Sequence, residues 1–177
     1  AWDMACRGAG STVLITGEPG IGKSRLLAEF QSRLDLHARN RILYFCSPYY
    51  QNTAYYPVRD QLTRGFRFGR GESASEKLGR IEQGIARLGL DPDRIVPVLA
   101  QLQSLPVNER YPDFAVAPED LRRELLDVIT EVTGAMTRRG TVLQVIEDIH
   151  WGDPSTVALV AASIERLSAT RMLQVVT

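Results

Sequence analysis

The chain has 177 residues, with 21 Lys+Arg against 21 Asp+Glu and a formal net charge of zero. That length suits one domain burying about two thirds of its unfolded-chain surface. A balanced charge excludes a tail built to coat nucleic acid or an anionic membrane.

In chain order, residues Thr12 to Thr16 (TVLIT) form a short apolar, β-branched run that ends at Gly17 and reads as a buried strand. Leu26, Leu27, Phe30 and Leu34 then recur at helical spacing, so a helix follows the glycines. Arg41 to Cys46 (RILYFC) is the second expected strand, closed by Ser47-Pro48 because proline cannot donate to a ladder. The middle of the chain changes period. Val58 to Phe68, Ser75 to Leu90, Arg94 to Leu105 and Pro118 to Arg139 carry apolar residues three and four apart. Pro118 suits a first helical turn, with Glu119 and Asp120 matching the helix dipole. These segments predict a helical insertion, about residues 55–139, between strands of one domain spanning 1–177. Thr141 to Ile146 (TVLQVI) is the third strand, running into Glu147-Asp148. Asp153-Pro154 predicts an N-cap with proline in the first turn of a helix through Leu167, and Arg171 to Val176 is a fourth strand. Near-continuous apolar strands alternating with helices imply an α/β fold with a parallel sheet covered on both faces.

Between the first strand and its helix, Gly17-Glu18-Pro19-Gly20-Ile21-Gly22-Lys23-Ser24 fits G-x-x-x-x-G-K-[ST], with Arg25 next in the helix. Glycines let successive backbone N–H groups turn inward as an anion nest, and the helix start adds its dipole. Lys23 would set a compact charge against the β- and γ-phosphates of a nucleotide, and Ser24 would offer its hydroxyl to Mg²⁺. The chain has 19 Arg and only two Lys, one of them Lys23, at a place where a planar guanidinium does not suit the cradle. A second acidic site is expected where Val142–Ile146 meets Glu147-Asp148. Neighbouring strand residues point to opposite faces, so the two acids divide the work. Glu147 is read as belonging to the metal shell and Asp148 as positioning water; the reverse assignment stays open.

His150 has two readings, a polar bridge to the γ-phosphate or a loop histidine with Trp151 anchoring the next helix. His37 reads as a C-terminal dipole partner. Tyr49, Tyr50, Tyr55 and Tyr56 could stack on a base, though packing under a loop is commoner. Arg122-Arg123 and Arg138-Arg139 read as solvated helix faces, or as arginine fingers only beside a neighbour's nucleotide. Cys6 and Cys46 have no metal-like spacing and read as free thiols of a reducing cytosol. Apolar runs fall short of the roughly 20 residues of a membrane helix, and no secretory signal is visible, so a cytoplasmic location is expected.

"TGEPGIGKSRLLAEF" and "IEDIHWGDPST" together resemble the signal-transduction (STAND) branch of the AAA-like P-loop ATPases. "CSPYYQNTAYYPV" and "LPVNERYP" are similar to the ATPase module that follows adenylate/guanylate cyclase domains in bacterial proteins and that occurs in LuxR-type regulators. The resemblance implies a three-layer α/β/α P-loop fold binding ATP and Mg²⁺. It implies a switch regulating an effector domain of the same polypeptide, with a nucleotide-dependent oligomer possible. Gly17 to Ser24 match its Walker A motif, while Glu147 stands where the Walker B motif usually has Asp. The resemblance places the fourth strand between the first and third, and puts a sensor arginine, a fifth strand and a helical lid beyond residue 177. A start at Ala1 and a stop at Thr177 suggest an excerpt. The alternative is a nucleotide- or partner-binding module without turnover. Neither reading gives this segment a direct nucleic-acid or membrane contact.

Overall fold

The computed structural model describes residues 1–34, 40–107, 110–112, 114, 116–117 and 120–177, with the backbone alone of Leu167. His37, Pro118 and Glu119, and the readings attached to them, lie outside the described residues. Chain order is α1 (Trp2–Cys6), β1 (Ser11–Leu14), α2 (Lys23–Arg33), β2 (Arg41–Phe45), α3 (Tyr56–Gly65), α4 (Ala74–Arg87), α5 (Pro92–Leu102), α6 (Leu121–Arg139), β3 (Val142–Glu147), α7 (Pro154–Leu167) and β4 (Met172–Val176).

Among the described residues the four strands form one all-parallel sheet in the order β1-β4-β3-β2. The last strand thus lies between the first and third, in the register Val13↔Val175 and Val145↔Val175. The apolar content of each strand explains its place. All of β4 and all of β3 except Glu147 are buried, as strands covered on both faces must be, whereas β1 and β2 alternate and take the edges.

Side-chain alternation divides the core into two layers. Leu143, Val145, Leu173 and Val175 face α1 and α2 through Ala5 and Leu27. Ile42, Tyr44, Val142, Ile146 and Val176 face the larger cluster built from α3 to α7. The chain therefore has the α/β architecture, helices on both faces of a parallel sheet, expected of a P-loop NTPase. Helix α1 carries no sequence signal; five residues are too short to show a period, and its place comes from packing against β4.

The helices between β2 and β3 start where their caps dictate. Ser73 and Glu76 form a reciprocal capping box at α4, and Asp91 caps α5 ahead of Pro92. Their apolar stripes meet: Leu78, Ile81 and Ile85 of α4, with Ile95, Val96 and Leu99 of α5, are almost wholly buried. No helix among the described residues is long and apolar enough to cross a membrane.

Candidate functional site

The glycine-rich loop leaves β1 at the C-terminal end of the sheet and enters α2 directly. Gly20 (φ 82°) and Gly22 (φ 101°) take left-handed backbone angles, and a Cβ at either would meet nothing within 4 Å. The glycines are required by conformation rather than crowding. Gly22 is the N-cap of α2 and makes no side-chain cap, and the helix ladder opens with the Leu26 N–H donating to the Gly22 carbonyl at 2.9 Å. The N–H groups of Lys23, Ser24 and Arg25 therefore point out of the helix start without an intrahelical acceptor. The Lys23 ammonium curls inward and donates to the carbonyls of Gly17 (2.9 Å) and Glu18 (3.1 Å). Ile21 is 71% exposed at the loop's tip, and Ser24 and Arg25 are exposed. The result is a shallow, outward-facing nest of N–H groups with one cation, suited to a polyanion.

Glu147 ends β3 and Asp148 follows it, two strand spacings from β1, or about 10 Å across the sheet. Glu147 continues the alternation of Leu143 and Val145, on the face covered by α2, and its carbonyl accepts the Cys46 N–H at 3.0 Å. Asp148 breaks the alternation. It adopts a left-handed conformation (φ 55°), and its N–H donates to the Thr177 hydroxyl at 3.0 Å. Both acids are half-buried, and no hydrogen bond or ion pair engages either carboxylate among the described residues. Nor do the described residues hold a group of three or more His, Cys, Asp or Glu placed to bind a metal. That donor set fits Mg²⁺ shared between one or two carboxylates, phosphate oxygens and water, and not an all-protein cage.

His150 is exposed and leans on Trp151, ring centroids 4.9 Å apart, within a 3₁₀ turn. Trp151 remains 39% exposed, whereas Ile149 packs on the core; the isoleucine anchors this loop. The tyrosines divide: Tyr50 stacks on Tyr56 at 3.6 Å, Tyr55 is buried, and Tyr49 is 90% exposed. Arg122, Arg123, Arg138 and Arg139 are all exposed, and Arg123 pairs with Asp120 at 2.8 Å.

Asp153 does more than the N-cap expected of it. Its carboxylate, 3% exposed, accepts the Thr156 N–H (3.0 Å) and hydroxyl (2.5 Å) and also the Tyr55 N–H (3.1 Å). One carboxylate thus ties the start of α7 to the start of α3. The cap was readable in Asp153-Pro154; the partner 98 residues away had no sequence signal.

A parallel sheet, a glycine loop feeding a helix start and acids at the end of the strand two places along the sheet define a nucleotide-binding α/β protein. The family model for the AAA ATPase domain matches residues 1–176, and the chain belongs to that family, which implies nucleotide binding, typically with Mg²⁺. It is also similar to an uncharacterized protein of Rhizobium meliloti (strain 1021), 29% identical over 186 residues. The match covers 99% of this chain and 17% of that relative, so the chain spans about a sixth of the relative's length.

Proposed function

We propose that the chain is one ATPase domain, a Mg-ATP-dependent switch of the STAND type that regulates an effector domain in the same polypeptide. The observation that carries the reading is the helix start at Lys23–Arg25, with its free N–H groups and inward-curled ammonium, at the same C-terminal end of the parallel sheet as Glu147 and Asp148. In this reading the N–H groups from Gly17 to Arg25, including those of Glu18, Gly20 and Gly22, cradle the phosphates, and the Ile21 N–H leaves the Glu18 carbonyl, 3.3 Å away, to join them. Pro19, which has no N–H, stiffens the loop. Lys23 exchanges its two carbonyl contacts for phosphate oxygens. The Ser24 hydroxyl and one acid serve Mg²⁺. Glu147, on the face shared with α2, is the metal-side acid, and Asp148, turned out of the ladder, orients water. Bound Mg²⁺ would supply charge neutralisation at the transferring phosphoryl group. The effector on this reading is a cyclase or DNA-binding domain, with the switch acting in the cytoplasm and nucleotide-dependent association among its outputs.

Lys23→Ala tests the reading in the full-length protein. Loss of a charge-assisted contact predicts ATP affinity falling about tenfold or more by calorimetry. The thermal midpoint should stay put, because Lys23 touches only exposed loop carbonyls. Unchanged ATP binding and effector output would sink the proposal. Glu147→Gln and Asp148→Asn separate turnover from binding: the switch reading expects both to lose phosphate release while binding ATP, and two silent variants would favour a non-hydrolysing module.

A further inference from the structure

Away from the nucleotide loop, two cavities share the walls Thr63 and Gln103 beside the edge strand β2. One, of about 350 Å³, lies against Tyr50, Tyr56 and Arg59; the other, of about 240 Å³, lies against Phe68, Arg70 and Lys77.

The polar lining is rich in donors. Thr63 and Gln103 already spend a hydrogen on the Arg59 carbonyl, at 3.0 and 2.7 Å, which fixes the floor. Among the described residues, Arg59 and Arg70 form no ion pair. Lys77, the second of the chain's two lysines, holds its ammonium 6.0 Å from the centre of the Phe68 ring. Asp60 also lines the larger cavity, its charge offset by Arg64 at 2.9 Å, and Glu72, which feels Lys77 through space, is bonded to Arg80 and the Gly69 N–H. Arg59 lines the larger cavity and Lys77 the smaller; both are half-buried, so an anionic group beside either would meet charge less screened than at an open surface. Phe68, Leu105 and the Tyr50–Tyr56 stack supply an apolar wall. The larger volume sits at the lower end of small-ligand sites, about 300–1,000 Å³, and the smaller adjoins it through Thr63 and Gln103.

We propose that this groove is a second ligand site, taking a small anionic metabolite whose phosphate or carboxylate groups lie against Arg70 and Lys77 in the smaller cavity and reach past Thr63 and Gln103 to Arg59 in the larger. Its apolar body packs on Phe68 and Leu105. The site is independent of the nucleotide reading, since it shares no residue with the glycine loop or the acids.

Inorganic pyrophosphate and citrate, titrated by calorimetry into the full-length Lys23→Ala protein without Mg²⁺, test the proposal, the background variant weakening the glycine loop. The expected result is saturable one-site binding of at least one anion. It should weaken about fivefold to tenfold in Arg59→Gln or Lys77→Gln, the cost of one partly screened charge-assisted contact. Lys77→Arg, which keeps the charge, should bind within about threefold of the parent. The two substituted positions lie on separate helices, so a folding defect in one leaves the other to decide. Pyrophosphate supported and citrate silent assigns a phosphate ligand; the converse assigns a carboxylate ligand. No saturable binding, or binding indifferent to both Gln variants, overturns the proposal. So does capture of a polyglutamate peptide alone, which would make the groove a protein-docking site.

Discussion

Cys46 closes β2 with its side chain 8% exposed, close to Asp153 and Asp148. Burial pushes its thiol up to about 11, and the two carboxylates add repulsion against the thiolate. Burial likewise pushes the Tyr44 phenol up to about 12, against a smaller opposing effect of its bond with Gln144. Both groups are neutral when folded and titrate from 9.0 and 10.0 when unfolded. Above those values the unfolded chain gives up protons that the folded chain keeps, so stability falls with pH. The expected outcome is a urea midpoint that is flat up to pH 9 and drops steadily between about 9 and 12. A midpoint still flat at pH 11 would contradict the burial argument. At pH 8 a thiol reagent should label exposed Cys6 in the native chain and Cys46 only after unfolding.

At the scale of elements, the joint between the acid loop and the helices after β2 depends on Asp153. Helix α7 begins at its cap and α3 begins at a left-handed Tyr55 (φ 58°), whose N–H would otherwise be buried unpaired. Asp153→Ala removes a cap and leaves the Tyr55 and Thr156 donors without acceptors. The expected loss is about 3 kcal/mol, combining a cap with buried unsatisfied donors, which corresponds to a thermal midpoint about 6–12 °C lower. Asp153→Asn keeps one acceptor oxygen and should lose less than half as much. Equal losses in the two variants would show that packing, not hydrogen bonding, sets the joint.

Across the whole molecule, a polar row crosses the core that the apolar strands build. The Thr12 hydroxyl donates to Gln174 at 2.9 Å, the Gln174 amide donates to Gln144 at 2.7 Å, and Gln144 bonds the Tyr44 phenol. Each strand of the sheet contributes one member, and both glutamines are 3% exposed. Gln174→Leu should cost about 2 kcal/mol in urea unfolding, because it orphans a buried Gln144 oxygen. Adding Gln144→Leu should be clearly less than additive, since the second change removes the orphan. Strict additivity would mean that the two amides are not energetically coupled.

Periodicity, caps and one motif were enough to place every strand, the helices of the middle segment and the glycine loop, because each is written in residues adjacent along the chain. Strand edges moved by a residue or two, and α1 stayed invisible, since neither a ladder's end nor a five-residue helix has a local period. The motif made Lys23 and Ser24 legible, but not the inward curl of the ammonium onto Gly17 and Glu18. Only the tertiary structure paired Asp153 with Tyr55, and it alone found the groove between Arg59 and Lys77. It also turned Asp148 out of its ladder and set Ile149, rather than Trp151, into the core. Those features depend on contacts between residues far apart in sequence, where burial and hydrogen-bond satisfaction of the whole fold make the choice and no local pattern records it.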